Sequence, residues 1–188
     1  LAALRRETRI LGLAEMMNFP GVIYADPGVL SKITVFCEGL IDGHAPLLSG
    51  KDLNAYITAG IRSDHECTQR EEAREKLRRG MHIMIREGTQ AKNLAALLPL
   101  VNAVTMRQCS LVTDDLHPHD IMHHGHLDAV MSLAIKSGLD PLQAIAMTTL
   151  NTARYFSLRD RGAVAPGYRA DLVLLSSLEP VRVAHVFK

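Results

Sequence analysis

The sequence predicts an α/β fold with a parallel sheet, because short apolar runs alternate with segments of helical periodicity. Turn residues bound the runs, and a polar group follows each of them. Five such strand–helix units fit part of a (β/α)8 barrel and also fit a doubly wound sheet. Periodicity does not distinguish these two arrangements.

Five apolar runs predict the strands. They are Ile10–Ala14, Gly39–Ile41, Gly60–Ser63, Met81–Ile85 and Cys109–Val112, of which Gly60–Ser63 is the weakest. Runs that do not alternate with polar residues are typical of strands covered on both faces. We therefore expect these strands in the interior of the protein.

Between the strands, the helix signals are clear. A capping box at Thr68–Glu71 begins one helix, and Gly80 ends it. A second helix starts at Asp140–Gln143, which places a cap, a first-turn proline and a reciprocal glutamine in order. Two i,i+4 ion pairs are expected on the first of these helices, Glu72 with Lys76 and Glu75 with Arg79.

The predicted secondary structure changes after about residue 160, from alternating strands and helices to loops and strands. Residues 162–167 are loop-like, whereas 171–175 and 181–187 are strand-like. We expect residues 1–160 to form the α/β domain and residues 161–188 to begin a small β-rich domain.

Composition excludes several classes of protein. The 188 residues carry 21 Lys and Arg against 20 Asp and Glu, so no charge excess favours nucleic acid or an acidic membrane surface. No apolar run approaches the roughly 20 residues that span a bilayer. The three cysteines form no CxxC pair, which argues against a disulfide framework and indicates a reducing cytoplasm.

Groups that bind metals or move protons follow each predicted strand. At the carboxyl ends of the strands of a (β/α)8 enzyme, such groups meet although they are distant in sequence. Single histidines from separate strands, together with carboxylates, suit Zn, Mn or Fe in a hydrolytic site. The groups are Glu15, Asp42-Gly43-His44, Asp64-His65-Glu66, Arg86-Glu87 and Asp114-Asp115.

Each of these groups also has an ordinary structural interpretation. Glu15 would be a surface carboxylate if residues 2–17 formed one helix, and Asp114-Asp115 would cap a helix starting near Pro118. In the histidine-rich stretch 115–126 we expect solvated loop and helix-start residues, with His117 the best placed to reach a substrate. The sequence contains no GxGxxG, P-loop or GxSxG motif, so nucleotide cofactors and a serine nucleophile have no support.

Taken in order, the motifs resemble those of the bacterial adenine deaminases, which belong to the metal-dependent amidohydrolases. The resemblance covers essentially the whole chain. It rests on LGLAEMMNFPGVI (11–23), IDGHAP (41–46), SDHE (63–66), IREG (85–88), LVTDD (111–115) followed by HP, and the less specific tail GAVAPGYRADLVLL (162–175).

The resemblance implies a partial (β/α)8 barrel, about strands four to eight, followed by the start of a β-rich accessory domain. It implies a two-metal centre in which Glu15 bridges the metals and His44 and His65 are ligands. Asp114 then binds one metal and shuttles the proton, with Asp115 the competing residue. The resemblance also suggests Glu66, Arg86 and His117 as contacts to the substrate.

The activity implied is hydrolysis of free adenine to hypoxanthine and ammonia by a metal-activated hydroxide, in purine salvage. Mn²⁺ is the expected metal, with Fe²⁺ or Zn²⁺ as alternatives. The expected partner is a small molecule, with no nucleic acid and no membrane, and the complete enzyme is expected to be a cytoplasmic homo-oligomer. The alternative is a related hydrolase of cyclic amides, although such enzymes usually bridge their metals with a carboxylated lysine, and Glu15 occupies that place.

One departure from the family pattern bears on activity. The His-x-His pair of the family's first strand has no counterpart, since His117-Pro118-His119 follows the last predicted barrel strand. The chain also opens at Leu1 without an initiator methionine. We therefore expect a fragment of a longer protein, inactive by itself, and a truncated chain without catalysis remains a further alternative.

Overall fold

A computed structural model describes all 188 residues. Each of the first five strands is followed by at least one helix, and two 3-10 helices lie at Leu98–Leu100 and Thr105–Gln108. The strands are β1 (Gly12–Met16), β2 (Leu40–Gly43), β3 (Ser63–Asp64), β4 (His82–Arg86), β5 (Cys109–Val112), β6 (Leu172–Leu178) and β7 (Val181–Phe187). The helices are α1 (Ala2–Arg5), α2 (Phe19–Ile23), α3 (Pro27–Val35), α4 (Gly50–Thr58), α5 (Arg70–Arg78), α6 (Leu94–Leu97), α7 (Pro118–His124), α8 (Leu127–Lys136), α9 (Pro141–Thr148) and α10 (Leu150–Tyr155).

The chain divides into two compact units, Leu1–Ile83 and Met84–Lys188. All five predicted strands are present as β1 to β5, with bounds shifted by up to three residues. The α/β class is therefore confirmed. None of the helices has the length and apolar character that a membrane crossing requires.

In the first unit, parallel pairing brings strand ends together. Gly12 of β1 pairs with Leu40 of β2, and β3 pairs in parallel with the first residues of β4. The core beneath these strands is apolar, with Ile41, Leu53 and Ile61 fully buried. Parallel strands present their carboxyl ends at one edge, so the residues that follow β1, β2 and β3 face a common region.

A close approach of two backbones occurs at the end of β2. A Cβ atom on Gly43 would collide with the carbonyl oxygen of Ser63 and would lie 3.0 Å from the Tyr56 hydroxyl. The Gly43 N–H donates to the Ser63 hydroxyl at 3.1 Å. Only glycine allows the two chain segments to lie this close together.

The second unit packs helices against β5 and ends in a hairpin. Asn151 of α10 donates its amide to the carbonyl oxygens of Met106 and Cys109, at 2.6 and 2.9 Å. Strands β6 and β7 pair antiparallel. The division into domains at residue 160 stays a prediction.

Some of the helix ends predicted from the sequence are confirmed and one is wrong. Asp140 caps α9 by accepting from the N–H groups of Leu142 and Gln143, as predicted. Gly80 follows α5 with φ at +86°. The capping box at Thr68–Glu71 is wrong, however, because Gln69 is the N-cap residue of α5 and makes no side-chain cap bond.

Two of the ordinary interpretations of the polar groups are wrong. Glu15 lies in β1 and not on a helix, since α1 ends at Arg5. His117, and neither Asp114 nor Asp115, is the N-cap residue of α7.

Candidate metal centre

Three potential metal ligands converge in the first unit. Glu15 is the fourth residue of β1, while His44 and His65 directly follow β2 and β3. One oxygen or nitrogen of each lies within 4.8 Å of the others. The structure thus brings these three predicted residues together, and their role as metal ligands stays a prediction.

The donor atoms of Glu15, His44 and His65 lie within a few ångströms of one another. His65 Nε2 lies 2.9 Å from Glu15 Oε2, and His44 Nδ1 lies 3.5 Å from the same oxygen. The two imidazole rings meet edge to face, with centroids 5.2 Å apart. The histidine side chains are largely buried, whereas that of Glu15 is 39% exposed, so the cluster opens on the carboxylate side.

The donor set fits a divalent transition metal. His44 Nδ1 is buried and has no hydrogen-bond partner, which is costly for a ring nitrogen unless another group completes it. Two imidazoles and a carboxylate are ligands that Zn, Mn and Fe accept. The geometry therefore supports a metal at Glu15, His44 and His65.

Glu66 belongs to the same cluster. Its Oε1 atom lies 3.6 Å from both His44 Nδ1 and His65 Nε2, and its side chain is 16% exposed. The carboxylate is thus close enough to the centre to act on a molecule bound there. Its predicted contact with substrate stays a prediction.

A second group with suitable donor types is occupied by a lysine. Asp64, Cys67 and Glu72 bring their donor atoms together in the interior. The Lys76 ammonium lies among them, 2.8 Å from Asp64 Oδ2 and 2.7 Å from Glu72 Oε1. The cation required by these carboxylates is therefore supplied by the protein itself.

Electrostatics keep Asp64 and Lys76 charged in the interior. Burial raises the pKa of Asp64, but the Lys76 ammonium and the hydrogen bonds from Lys76, Cys67 and Ala45 outweigh it, so the net pKa is lowered. Burial lowers the pKa of Lys76, and Asp64 more than restores it. For Cys67, burial and the neighbouring Asp64 raise the pKa of the thiol, which stays protonated and donates to Asp64 at 3.0 Å.

In the second unit, Asp114 pairs with Arg86. Arg86 Nη1 donates to Asp114 Oδ2 at 2.6 Å, and the arginine side chain is only 9% exposed. Asp114 adopts a left-handed backbone conformation with φ at +58°, which aspartate tolerates better than most residues. Asp115 is exposed and uses its carbonyl oxygen, which accepts from the Thr89 N–H at 2.9 Å.

His117 is exposed, and its backbone N–H donates to the Thr89 hydroxyl at 3.0 Å. Along α7, His119 and His123 stack with ring centroids 4.1 Å apart. The histidine-rich stretch begins in a loop and continues into a solvated helix, as predicted. The substrate contact predicted for His117 stays a prediction.

Two residues of the neighbourhood are not among the predicted site residues. Tyr56 of α4 and Lys76 of α5 are both fully buried, and both hydrogen-bond to the segments that carry the ligands. The sequence offers one signal for Lys76, since Glu72, Ala73, Lys76 and Leu77 occupy a single helical face that includes apolar residues. Nothing in the sequence singles out Tyr56.

Comparison with known proteins identifies the family of this chain. The amidohydrolase family model matches residues 3–188. Proteins named adenine deaminase are similar over nearly the whole chain, with 52% identity in Kosmotoga olearia over 97% of this chain, and 53% in Dehalococcoides mccartyi (strain CBDB1) over all of it. The chain spans 32–33% of the length of these relatives.

Solved structures agree on the fold. The crystal structure of an amidohydrolase from Thermotoga maritima has a TM-score of 0.55 and 16% identity, covering 80% of this chain and 42% of that one. A further amidohydrolase structure has a TM-score of 0.56 and 16% identity, covering 85% and 45%. The chain belongs to the amidohydrolase family.

Proposed function

We propose that this chain is part of an adenine deaminase, an enzyme that hydrolyses the C6–N bond of free adenine to give hypoxanthine and ammonia in purine salvage. The convergence of Glu15, His44 and His65 is the observation that carries the proposal. The sequence identity of 51–53% to proteins named adenine deaminase supports adenine as the substrate. Because the chain spans about a third of the length of these relatives, the proposed activity is that of the complete protein.

The architecture that supports this function is a partial (β/α)8 barrel. Strands β1 to β5 would be about its fourth to eighth strands, within residues 1–160, and residues 161–188 would begin the β-rich accessory domain. Parallel pairing of β1 with β2 and of β3 with β4 supports this arrangement. The like fold of solved amidohydrolases supports it as well.

The proposed metal centre is binuclear in the complete enzyme, with Mn²⁺ as the expected metal and Fe²⁺ or Zn²⁺ as alternatives. Glu15, His44 and His65 would hold the ions. The buried, unpartnered Nδ1 of His44 supports a ligand role for that atom. When bound, the metals supply a Lewis acid that acidifies a water molecule toward neutral pH.

Residues of the chain would transfer the protons and orient the substrate. Asp114 accepts a proton from the attacking water, and Arg86 holds its carboxylate through the 2.6 Å bond. Glu66 faces the cluster and would hydrogen-bond the purine ring, with His117 as a further contact. Water oxygen replaces the exocyclic nitrogen at C6, and that nitrogen leaves as ammonia after it takes up the proton.

Further expectations attach to the complete protein. Its partner is the small-molecule substrate, and it is expected to form a homo-oligomer in the cytoplasm.

The test uses protein expressed from the complete reading frame that contains this chain. The protein is loaded with Mn²⁺, and ammonia and hypoxanthine are measured after adenine is added. We expect both products from the wild type, none from His44→Ala, and wild-type amounts from His185→Ala, which alters an exposed histidine of β7. If folded, metal-loaded wild type released no ammonia, adenine would be rejected, and cyclic amides would be tested next.

A further inference from the structure

Two buried polar side chains lie behind the ligand cluster and reach the ends of three strands. Tyr56 belongs to α4 and Lys76 to α5, and neither side chain is accessible to solvent. Neither side chain is among the cluster's ligands, so neither is explained by direct metal binding. Their hydrogen bonds instead go to the chain segments from which Glu15, His44 and His65 project.

Tyr56 joins the end of β1 to the end of β2. Its hydroxyl donates to the carbonyl oxygen of Met16 at 2.7 Å and accepts from the N–H of His44 at 3.0 Å. Met16 is the residue after Glu15, and His44 is itself a ligand. One phenolic oxygen therefore fixes the backbone beside two of the three ligands.

Lys76 joins the end of β2 to the end of β3. Its three N–H groups donate to Ala45 O at 2.7 Å, Asp64 Oδ2 at 2.8 Å and Glu72 Oε1 at 2.7 Å. Asp64 returns a bond by accepting from the Ala45 N–H at 2.9 Å. Ala45 follows His44 and Asp64 precedes His65, so this network ties together the backbones of the other pair of ligands.

The chemistry of the lysine network favours a geometric role over a simple contribution to stability. A buried ion pair is often no more stabilising than apolar residues of the same volume, because removing both charges from water is costly. All three donors of Lys76 are nevertheless used, and each is aimed at a particular acceptor. Such a network fixes the position of the groups it connects.

We propose that Tyr56 and Lys76 are positioning residues that hold the ends of β1, β2 and β3 so that Glu15, His44 and His65 meet at the spacing a metal requires. The inference rests on the proposed metal centre. It extends that proposal to residues on the helices behind the sheet, which act through the ligands without touching the metal or the substrate.

The test measures metal affinity without adenine. Protein from the complete reading frame is made metal-free and titrated with Co²⁺ against a competing chelator, while the visible absorption of bound Co²⁺ is recorded. Two variants are compared with the wild type. Tyr56→Phe removes one oxygen without changing shape, and Lys76→Met removes the ammonium while keeping an unbranched side chain.

Each variant has a matched control. Tyr24→Phe makes the same change at a tyrosine that is 84% exposed. Arg79→Met removes a cation from the residue directly after α5, where it pairs with Glu75 at a partly exposed position. Both controls should bind Co²⁺ as the wild type does.

We expect Tyr56→Phe and Lys76→Met each to weaken Co²⁺ binding by about tenfold, as measured for groups that orient metal ligands, and to change the Co²⁺ absorption bands. A merely structural role would lower the unfolding temperature of the metal-free protein but leave affinity and spectrum unchanged. That result for a folded Tyr56→Phe protein would overturn the inference, and Tyr56→Phe alone decides if Lys76→Met does not fold.

The experiments distinguish a failure of the proposed deaminase function from a failure of the positioning roles. Wild type that binds Co²⁺ but releases no ammonia from adenine would reject the substrate and leave the positioning roles to be decided by affinity. Wild type that binds no Co²⁺ at the cluster would reject both.

Discussion

Arg86 and Asp114 form a short ion pair in which Arg86 Nη1 lies 2.6 Å from Asp114 Oδ2. Arg86 projects from the end of β4, and its side chain is 9% exposed, against 30% for Asp114. Charge-assisted bonds of this kind fix orientation as well as adding energy. The arrangement offers a role for Arg86 other than the substrate contact that the sequence suggests.

Replacement of Arg86 by glutamine distinguishes these two roles. If Arg86 orients the proton-transferring carboxylate, kcat for adenine should fall about 10- to 100-fold with little change in KM, because general acid–base catalysis is lost in part. A rise in KM at unchanged kcat would instead indicate a uniform contact to adenine. Steady-state ammonia release from the complete protein measures both quantities.

Asparagine substitutions at Asp114 and Asp115 show which of the two carboxylates accepts the proton. Asp114→Asn should lower kcat about 10²- to 10⁴-fold, since a neutral amide cannot accept the proton. Asp115→Asn should remain near wild type, because its backbone carbonyl makes the bond to Thr89. The reverse ranking in the same ammonia assay would transfer the catalytic role to Asp115.

Metal removal should lower thermal stability through the ligand cluster. A ligand that binds only the folded protein stabilises it by about 2.7 kcal/mol at a hundredfold excess over its Kd. We therefore expect Mn²⁺ to raise the unfolding temperature of the chelator-treated complete protein, and His65→Ala to abolish this rise. His119→Ala, on the solvated α7, is the control, and a Mn²⁺-dependent rise that persists in His65→Ala would argue against the cluster as the site.

His82 makes stability depend on pH. Burial lowers the pKa of His82 from 6.5 to about 4. Between these values the unfolded chain takes up a proton that the folded chain does not, so the free energy of unfolding falls as pH falls from 6.5 to 4, on the order of 3 kcal/mol in all.

Denaturant unfolding at several pH values, in the presence of chelator, checks this expectation. His82→Gln cannot take up the proton in either state, so its stability should change less over this pH range than that of the wild type. An equal change in both proteins would show that other groups, such as the carboxylates, account for the acid sensitivity.

The sequence predicted that Glu15, His44 and His65 converge, because each follows an apolar run that predicts a strand. The run Ile10–Ala14 indicates a strand that delivers Glu15 to its end, and parallel strands bring such ends together. The contacts around these ligands arise otherwise. The hydroxyl of Tyr56 meets Met16 forty residues away, and Lys76 meets Ala45 thirty-one residues away. Spacing along a helix cannot predict such partners, because they depend on how separate elements pack.

Capping shows the same limit on a smaller scale. At Asp140 the cap and the residues it binds lie within three residues of each other, and the predicted cap is confirmed. Near Thr68 the expected reciprocal bond is displaced, because the Thr68 N–H donates at 3.3 Å to Glu72. Glu72 also accepts from the Leu47 N–H at 2.7 Å, so a tertiary contact favours Glu72 over Glu71 at the start of α5.

Gly43 places an unusual constraint on how this protein can be diversified. A side chain there would press on the backbone of Ser63, which no rotamer change can relieve. In a library that randomises residues 41–48 and is selected for activity, Gly43 should return almost invariant. Leu47 is 61% exposed with φ at +60°, so glycine and asparagine should be enriched there. New specificities would then have to arise in the loop beyond the strand, while Gly43 itself stays fixed.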